Sequence, residues 1–204
     1  MKLPIKICGM KYNTVEVATL QPAYLGFIFY DKSPRYFNNA IPTLPEGVKK
    51  VGVFVNASEE TILNTIETHQ LDIIQLHGEE TPAYCKSLQK KTSNLNIWKV
   101  FSIKDAFNFE TLPPYEPYVD AFLFDTKGKN KGGNGFTFDW SVLKNYPSKK
   151  PFVLSGGIGL DSLSEVQEIV TSGLPILAID VNSKFESEPG RKKVSQLEKF
   201  MDQL

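Results

Sequence analysis

Residues 121–135 read AFLFDTKGKNKGGNG, and this stretch decides how the rest of the chain is read. Four apolar residues, Ala121 to Phe124, run unbroken into Asp125, after which the chain turns to Gly and Lys. An uninterrupted apolar run of this length suits a strand covered on both faces, as in a parallel sheet. A sheet with one wet face would alternate apolar and polar residues instead. The strand therefore ends by delivering an acid to a loop whose glycines, Gly128, Gly132, Gly133 and Gly135, give the backbone unusual freedom.

Outward from this run the same design recurs. Apolar or β-rich segments lie at residues 5–8, 24–29, 50–55, 72–76, 97–101, 119–125, 152–155 and 176–181. Between them, Ser58 precedes Glu59 and Glu60, acids suited to a helix N-terminus, and Ile62, Leu63 and Ile66 form an apolar stripe. Asp161 opens a segment with Leu163, Val166, Ile169 and Val170 on one face. Val194, Leu197, Phe200, Met201 and Leu204 repeat that pattern at the C-terminal end. Residues 41–45, the connection between the sixth and seventh strands, and 103–112 leave room only for short or irregular helices. Eight strand–helix units predict a single compact (β/α)8 barrel over residues 1–204, with no linker or shift of composition marking a second domain.

Composition narrows the function. Lys plus Arg and Asp plus Glu number 23 each in 204 residues, so no overall field steers the chain to nucleic acid or an anionic membrane. The expected partner is a small molecule, with any anion site built locally. No apolar run approaches the roughly 18 residues of a membrane span, and the start MKLPIKICGM has no secretory character, so a cytoplasmic protein is expected. Cys8 and Cys85 belong to no CxxC pair, which argues against a disulfide framework or structural zinc. With only His69 as a companion and no metal-ligand spacing, His77 reads as a hydrogen-bonded structural residue, and no metal or other cofactor is expected.

In a (β/α)8 barrel the loops after the strands form the active face. The residues just beyond the apolar runs are Cys8-Gly9, Ser33-Pro34-Arg35, Asn56, His77-Gly78, Asp125-Thr126, Ser155-Gly156-Gly157 and Asp180-Val181-Asn182-Ser183. The fold brings these separated segments together. Gly156 and Gly157 after strand seven, with Asn182 and Ser183 after strand eight, lie where barrels commonly assemble backbone N–H groups into a phosphate site.

Taken in order, these segments resemble the phosphoribosylanthranilate isomerase family. The matching motifs are KICGM (6–10), GFIFYDKSPRYF (26–37), VGVFVN (51–56), QLHGEE (75–80), LFDT (123–126), GGNGFTFDW (132–140), LSGGI (154–158) and DVNSKFESEPGRKK (180–193). They span essentially the whole chain. The resemblance implies an Amadori rearrangement in tryptophan biosynthesis, in which N-(5-phosphoribosyl)anthranilate becomes 1-(2-carboxyphenylamino)-1-deoxyribulose 5-phosphate. It assigns Asp125 as the general acid that opens the ribose ring and Cys8 as the base that removes the C2 proton.

The residues make chemical sense of these roles. A thiol has a reference pKa of ~8.5, within reach of neutrality once a nearby positive charge favours the thiolate. An Asp starts from ~3.9 and needs desolvation or a neighbouring anion to remain an acid at neutral pH. Arg35 is the expected partner of the anthranilate carboxylate, because a guanidinium grips a planar carboxylate through two hydrogen bonds. Gly132, Gly133 and Gly135 are read as a lid able to close over the substrate; Lys127, Lys129 and Lys131 either draw in its anion or are solvated loop charges. Asn134 and Lys184 stand where the family usually has Thr and Gly. Another aldose–ketose isomerase of phosphosugars, or a non-catalytic phosphate binder, would fit the barrel equally well. Neither needs Cys8, Asp125 and Arg35 together.

Overall fold

The computed structural model describes residues 3–92, 94–103, 106–126 and 140–204. Eight parallel strands close into a barrel in chain order: β1 (Ile5–Ile7), β2 (Tyr24–Ile28), β3 (Lys49–Phe54), β4 (Ile73–Leu76), β5 (Asn96–Ile103), β6 (Ala121–Thr126), β7 (Phe152–Leu154) and β8 (Ile176–Val181). Closure comes from β8 pairing with β1, with Lys6 opposite Asp180.

The expected two-sided burial of the sixth strand is what packs it. Ala121 and Leu123 join Val51, Ile73, Trp98, Val100, Val153 and Ala178 in the barrel interior. Phe122 and Phe124 face outward into the surrounding core, where the Phe124 ring lies 5.2 Å from that of Phe152 and 5.7 Å from Tyr146. Fully burying an aromatic side chain of this size contributes about 1.5–3 kcal/mol, so each face of the strand is anchored by its own side chains.

Helices α1 (Thr14–Ala18), α2 (Glu59–His69), α3 (Pro82–Lys91), α4 (Leu163–Val170) and α5 (Val194–Gln203) surround the strands. Ser58 caps α2 by accepting from the Thr61 N–H, and Thr81 caps α3 in the same way ahead of Pro82. Residues 109–111, inside the 103–112 segment expected to hold only a short or irregular helix, form a single 3₁₀ turn, and residues 116–118 around Pro117 form another. Asp161 itself sits in a 3₁₀ turn, and α4 starts two residues later, at Leu163.

Two strands start later than the apolar pattern predicts, for one reason. The side chains of Asp72 and Asp120 accept the N–H groups of Lys50 and Ile97 at 2.7 Å, a bond between neighbouring strands made by a carboxylate. Regular pairing then begins at Ile73 and Ala121. A short antiparallel hairpin, β9 (Glu186–Glu188) and β10 (Arg191–Lys192), follows the barrel and returns to the segment after β1, where the Tyr12 N–H donates to the Gly190 carbonyl at 3.1 Å. Among the described residues no helix is long and apolar enough to cross a membrane.

Candidate active site

The β1 strand ends at Ile7, and Cys8 continues its line by donating its N–H to Val181 at 2.9 Å. Gly9 then turns with φ +74°, where a Cβ would lie 2.7 Å from both Arg35 Cδ and Asn182 Oδ1. Only glycine allows three segments to meet so closely beside the thiol.

Arg35 is brought there by the segment after β2. The Phe37 N–H returns to the Ile28 carbonyl at 2.9 Å, and the Phe37 ring packs 4.9 Å from that of Phe27. The intervening loop carries Arg35 inward until it is 9% exposed. Its guanidinium is already engaged: Nε lies 3.0 Å from both oxygens of Glu186, and Nη2 lies 2.6 Å from Oε2. Lys192 Nζ and the Gly190 N–H reach the same carboxylate at 2.7 and 3.0 Å. Lys192 also contacts Asn182 Oδ1 at 2.7 Å. The hairpin thus ties the guanidinium to the loop after β8. Burial works against ionisation of Glu186, but Arg35 and Lys192 hold its carboxyl below the usual range. Burial pushes the Lys192 ammonium down to about 8, with Glu186 opposing.

A second buried knot sets the end of β4. Glu80 accepts the N–H groups of Asn56 at 2.8 Å and Gly78 at 2.9 Å, and pairs with Lys99 at 3.1 Å. Asn56 Oδ1 in turn accepts the Glu79 N–H at 2.7 Å. This accounts structurally for both VGVFVN and QLHGEE, and it leaves His77 facing the site. His77 Nε2 is 3.4 Å from Asp125 Oδ2, and Gln75 Nε2 is 3.4 Å from His77 Nδ1. The histidine expected to be structural therefore touches the candidate acid. Among the described residues no cluster of His, Cys, Asp or Glu could hold a metal ion.

Cys8, Arg35, His77, Asp125, Gly156, Gly157, Asn182 and Ser183 all line one cleft at the C-terminal ends of the strands. Gly156 and Gly157 have φ of +94° and +66°, conformations that turn the β7 loop toward the cleft and that side chains rarely adopt. Ser183 opens a 3₁₀ turn after β8. The Lys184 ammonium bonds to Asp161 at 2.9 Å and so belongs to the rim joining these two loops. Gly132, Gly133 and Gly135, with Asn134 and the three loop lysines, lie outside the described residues.

Sequence reasoning gave no role to Lys6 or Asp180, yet Asp180 lines the cleft and Lys6 is buried directly behind it. Lys6 is fully buried and its Nζ lies 2.8 Å from Asp180 Oδ1, while Ser155 Oγ donates to Oδ2 at 3.2 Å. The available signal was the KIC spacing: residues two apart on a strand share a face, so a Lys at 6 points where Cys8 points. Burial pushes the Cys8 thiol up, Lys6 is the largest opposing influence, and Asp180 adds to the rise. The moderate activation expected for Cys8 is thus set against a large desolvation.

A closed parallel barrel with an acid, a thiol, a guanidinium and glycine turns around one cleft defines a (β/α)8 enzyme that works on a small anionic molecule. Residues 5–203 match the family described as N-(5'phosphoribosyl)anthranilate (PRA) isomerase. The N-(5'-phosphoribosyl)anthranilate isomerases of Parabacteroides distasonis and Phocaeicola vulgatus are 41% and 40% identical, covering 98% of this chain and 92% and 97% of theirs. Phosphoribosyl anthranilate isomerase from Thermotoga maritima superposes with a TM-score of 0.83 at 29% identity over 98% of both chains. Another solved phosphoribosyl anthranilate isomerase, in complex with reduced 1-(o-carboxyphenylamino)-1-deoxyribulose 5-phosphate, gives 0.78 at 27% identity, covering 98% of this chain and 97% of that one. The chain belongs to the N-(5'-phosphoribosyl)anthranilate isomerase family and is an isomerase of the Amadori type in tryptophan biosynthesis.

Proposed function

We propose that residues 1–204 act as one barrel domain, with Asp125 and Cys8 as the acid–base pair, Arg35 as the anthranilate clamp and the loops after β7 and β8 as the phosphate cradle. The observation that carries this reading is the shared cleft, which Cys8, Asp125 and Asp180 line together. The substrate is a small phosphosugar, taken up in the cytoplasm without nucleic acid or membrane.

In this arrangement Asp125 donates a proton to the ribose ring oxygen, the C1–O bond breaks and the anilino nitrogen forms a Schiff base at C1. The Cys8 thiolate then removes the C2 proton. The electron pair left at C2 forms the C1–C2 double bond of an enolamine as the iminium pair returns to nitrogen. Loss of the C2 hydroxyl proton and protonation at C1 give the aminoketose. C1 is reduced and C2 oxidised within one molecule, so no redox cofactor enters the balance. A positioned acid or base of this kind commonly contributes about 10²–10⁴-fold.

Both ends of the substrate are held. Phosphate meets the backbone N–H groups of Gly156, Gly157 and Ser183 and the Asn182 amide. The aromatic carboxylate meets those guanidinium N–H groups of Arg35 that Glu186 leaves available. Fixing the two ends places C2 near Cys8 and the ring oxygen near Asp125, converting binding energy into orientation. The test is a fluorescence assay that follows loss of phosphoribosylanthranilate with the purified protein. Absence of turnover by the folded protein overturns the reading.

A further inference from the structure

We propose that Lys6 is the fixed cation that stabilises the Cys8 thiolate, and that Asp180 is a positioning residue that holds the Lys6 ammonium while competing with Cys8 for it. The proposal deepens the assignment of Cys8 as the base and rests on it.

The geometry begins with the strand. Lys6 and Cys8 are two residues apart on the line of β1 and point into the barrel, and the β1–β8 register sets Lys6 opposite Asp180. On the other side, β2 presents Gly26. A Cβ there would lie 2.9 Å from Cys8 Sγ and 3.2 Å from Lys6 Nζ, so the sulfur and the ammonium share the space that this glycine leaves. Lys6 has no exposed surface and its Nζ is 2.8 Å from Asp180 Oδ1. A lysine is almost never buried to this extent without a partner, and Asp180 supplies one.

The other charged groups facing the thiol define its balance. Lys192, from β10, favours the thiolate, whereas Asp180, from β8, disfavours it. Asp125, from β6, acts on Asp180, and Arg35, from the loop after β2, acts on Lys192. His77, just after β4, contacts Asp125. Burial alone would lower Lys6, but the charges of Asp180 and Cys8 outweigh it, so the ammonium stays charged. When Cys8 ionises, two anions share that ammonium, and the thiolate therefore competes with Asp180.

This competition gives two substitutions opposite signs. Lys6→Met removes the cation and should move the Cys8 titration to higher pH by about 1–3 units, the range for loss of an opposite charge within 4–6 Å. Asp180→Asn leaves the ammonium to the thiol and should move the titration to lower pH. Lys6→Arg should restore most of the wild-type value. The readout is the pH dependence of Cys8 alkylation by iodoacetamide, cross-checked by ultraviolet thiolate absorbance. It is made in a Cys85→Ala background, because Cys85 is the second thiol, buried in α3. Circular dichroism selects folded variants, and Asp180→Asn keeps the test open if Lys6→Met fails to fold.

An unmoved Cys8 titration in a folded variant, or an upward shift in Asp180→Asn, overturns the proposal. The thiol is titrated without turnover, so this outcome is separable from failure of the catalytic reading. If Cys8→Ser turns over normally while the titrations move in opposite directions, the ion-pair geometry stands and the base assignment falls. If Cys8→Ser is inactive and the titrations do not move, Cys8 remains the base and Lys6 has no part in activating it.

Discussion

Replacing Arg35 by Met separates the clamp proposed for this side chain from the pairing with Glu186 that the structure shows. Toward substrate, the proposed clamp has the guanidinium donate charge-assisted hydrogen bonds to the anthranilate carboxylate, worth roughly 1.5–3 kcal/mol. Their loss should lower kcat/KM by about ten- to a hundredfold, mainly through KM, with a smaller fall in kcat if the carboxylate also sets orientation. Toward the protein, Arg35 makes three contacts of 2.6 to 3.0 Å with Glu186, whose side chain is 4% exposed. Breaking a buried pair by removing one partner costs about 3–5 kcal/mol. Lys192 and the Gly190 N–H continue to satisfy Glu186, so the expected loss of stability is smaller, about 2 kcal/mol. The assays are urea unfolding, steady-state kinetics, and affinity for a reduced product analogue with and without its carboxylate. Combining Arg35→Met with Glu186→Gln should recover none of the KM and lower stability further, because the second change leaves the clamp unbuilt and takes from the buried Lys192 ammonium its carboxylate partner. If Arg35→Met weakens both analogues equally, or leaves both affinities unchanged, Arg35 does not bind the carboxylate and its pairing with Glu186 is purely structural.

Cys8→Ser and Asp125→Asn should each lose about 10²–10⁴-fold in single-turnover rate while keeping near-normal affinity for the product analogue; conversion of bound substrate at the wild-type rate by either folded variant removes that residue from the mechanism. Gly157→Val should weaken inorganic phosphate and substrate together, since φ is +66° at a backbone turn facing the cleft, and calorimetric titration with phosphate is the check. Neighbouring charges lower the folded-state pKa of Glu186 below the ordinary 4.5, so its contribution to stability is present above that value and is lost as pH falls through the folded value. The stability gap between wild type and Glu186→Gln in urea should therefore narrow on acidification from pH ~5 downward; a gap independent of pH would show that Glu186 gains nothing from its ionised partners.

Local sequence determined the parts of the barrel because their causes are local. The unbroken run from Ala121 to Phe124 could belong only to an element covered on both faces. Ser58 with Glu59 and Glu60 marked a helix start through groups within one turn of each other. Asp72 and Asp120 blurred the strand boundaries, because an aspartate side chain can stand in for a backbone acceptor and only the neighbouring strand shows that it does.

The site divides along the same line. Cys8, Asp125, Arg35 and the turns at Gly156–Gly157 and Asn182–Ser183 were legible because each stands where an apolar run gives way to polar or glycine residues, and a parallel barrel collects those places on one face. What the tertiary structure decided was the company they keep. Arg35 is bound to Glu186 across 151 positions of sequence, and Lys6 to Asp180 across 174. His77 touches Asp125 from the opposite half of the chain. The Lys6–Cys8 spacing was visible in KIC, but its meaning depended on β8 closing against β1 and on Gly26 leaving room between them. Electrostatic energy and desolvation follow distance in space and exclusion of water, neither of which is a property of neighbouring residues. The sequence alone therefore named the candidate groups that share the cleft, and the closed barrel set the charges that surround them.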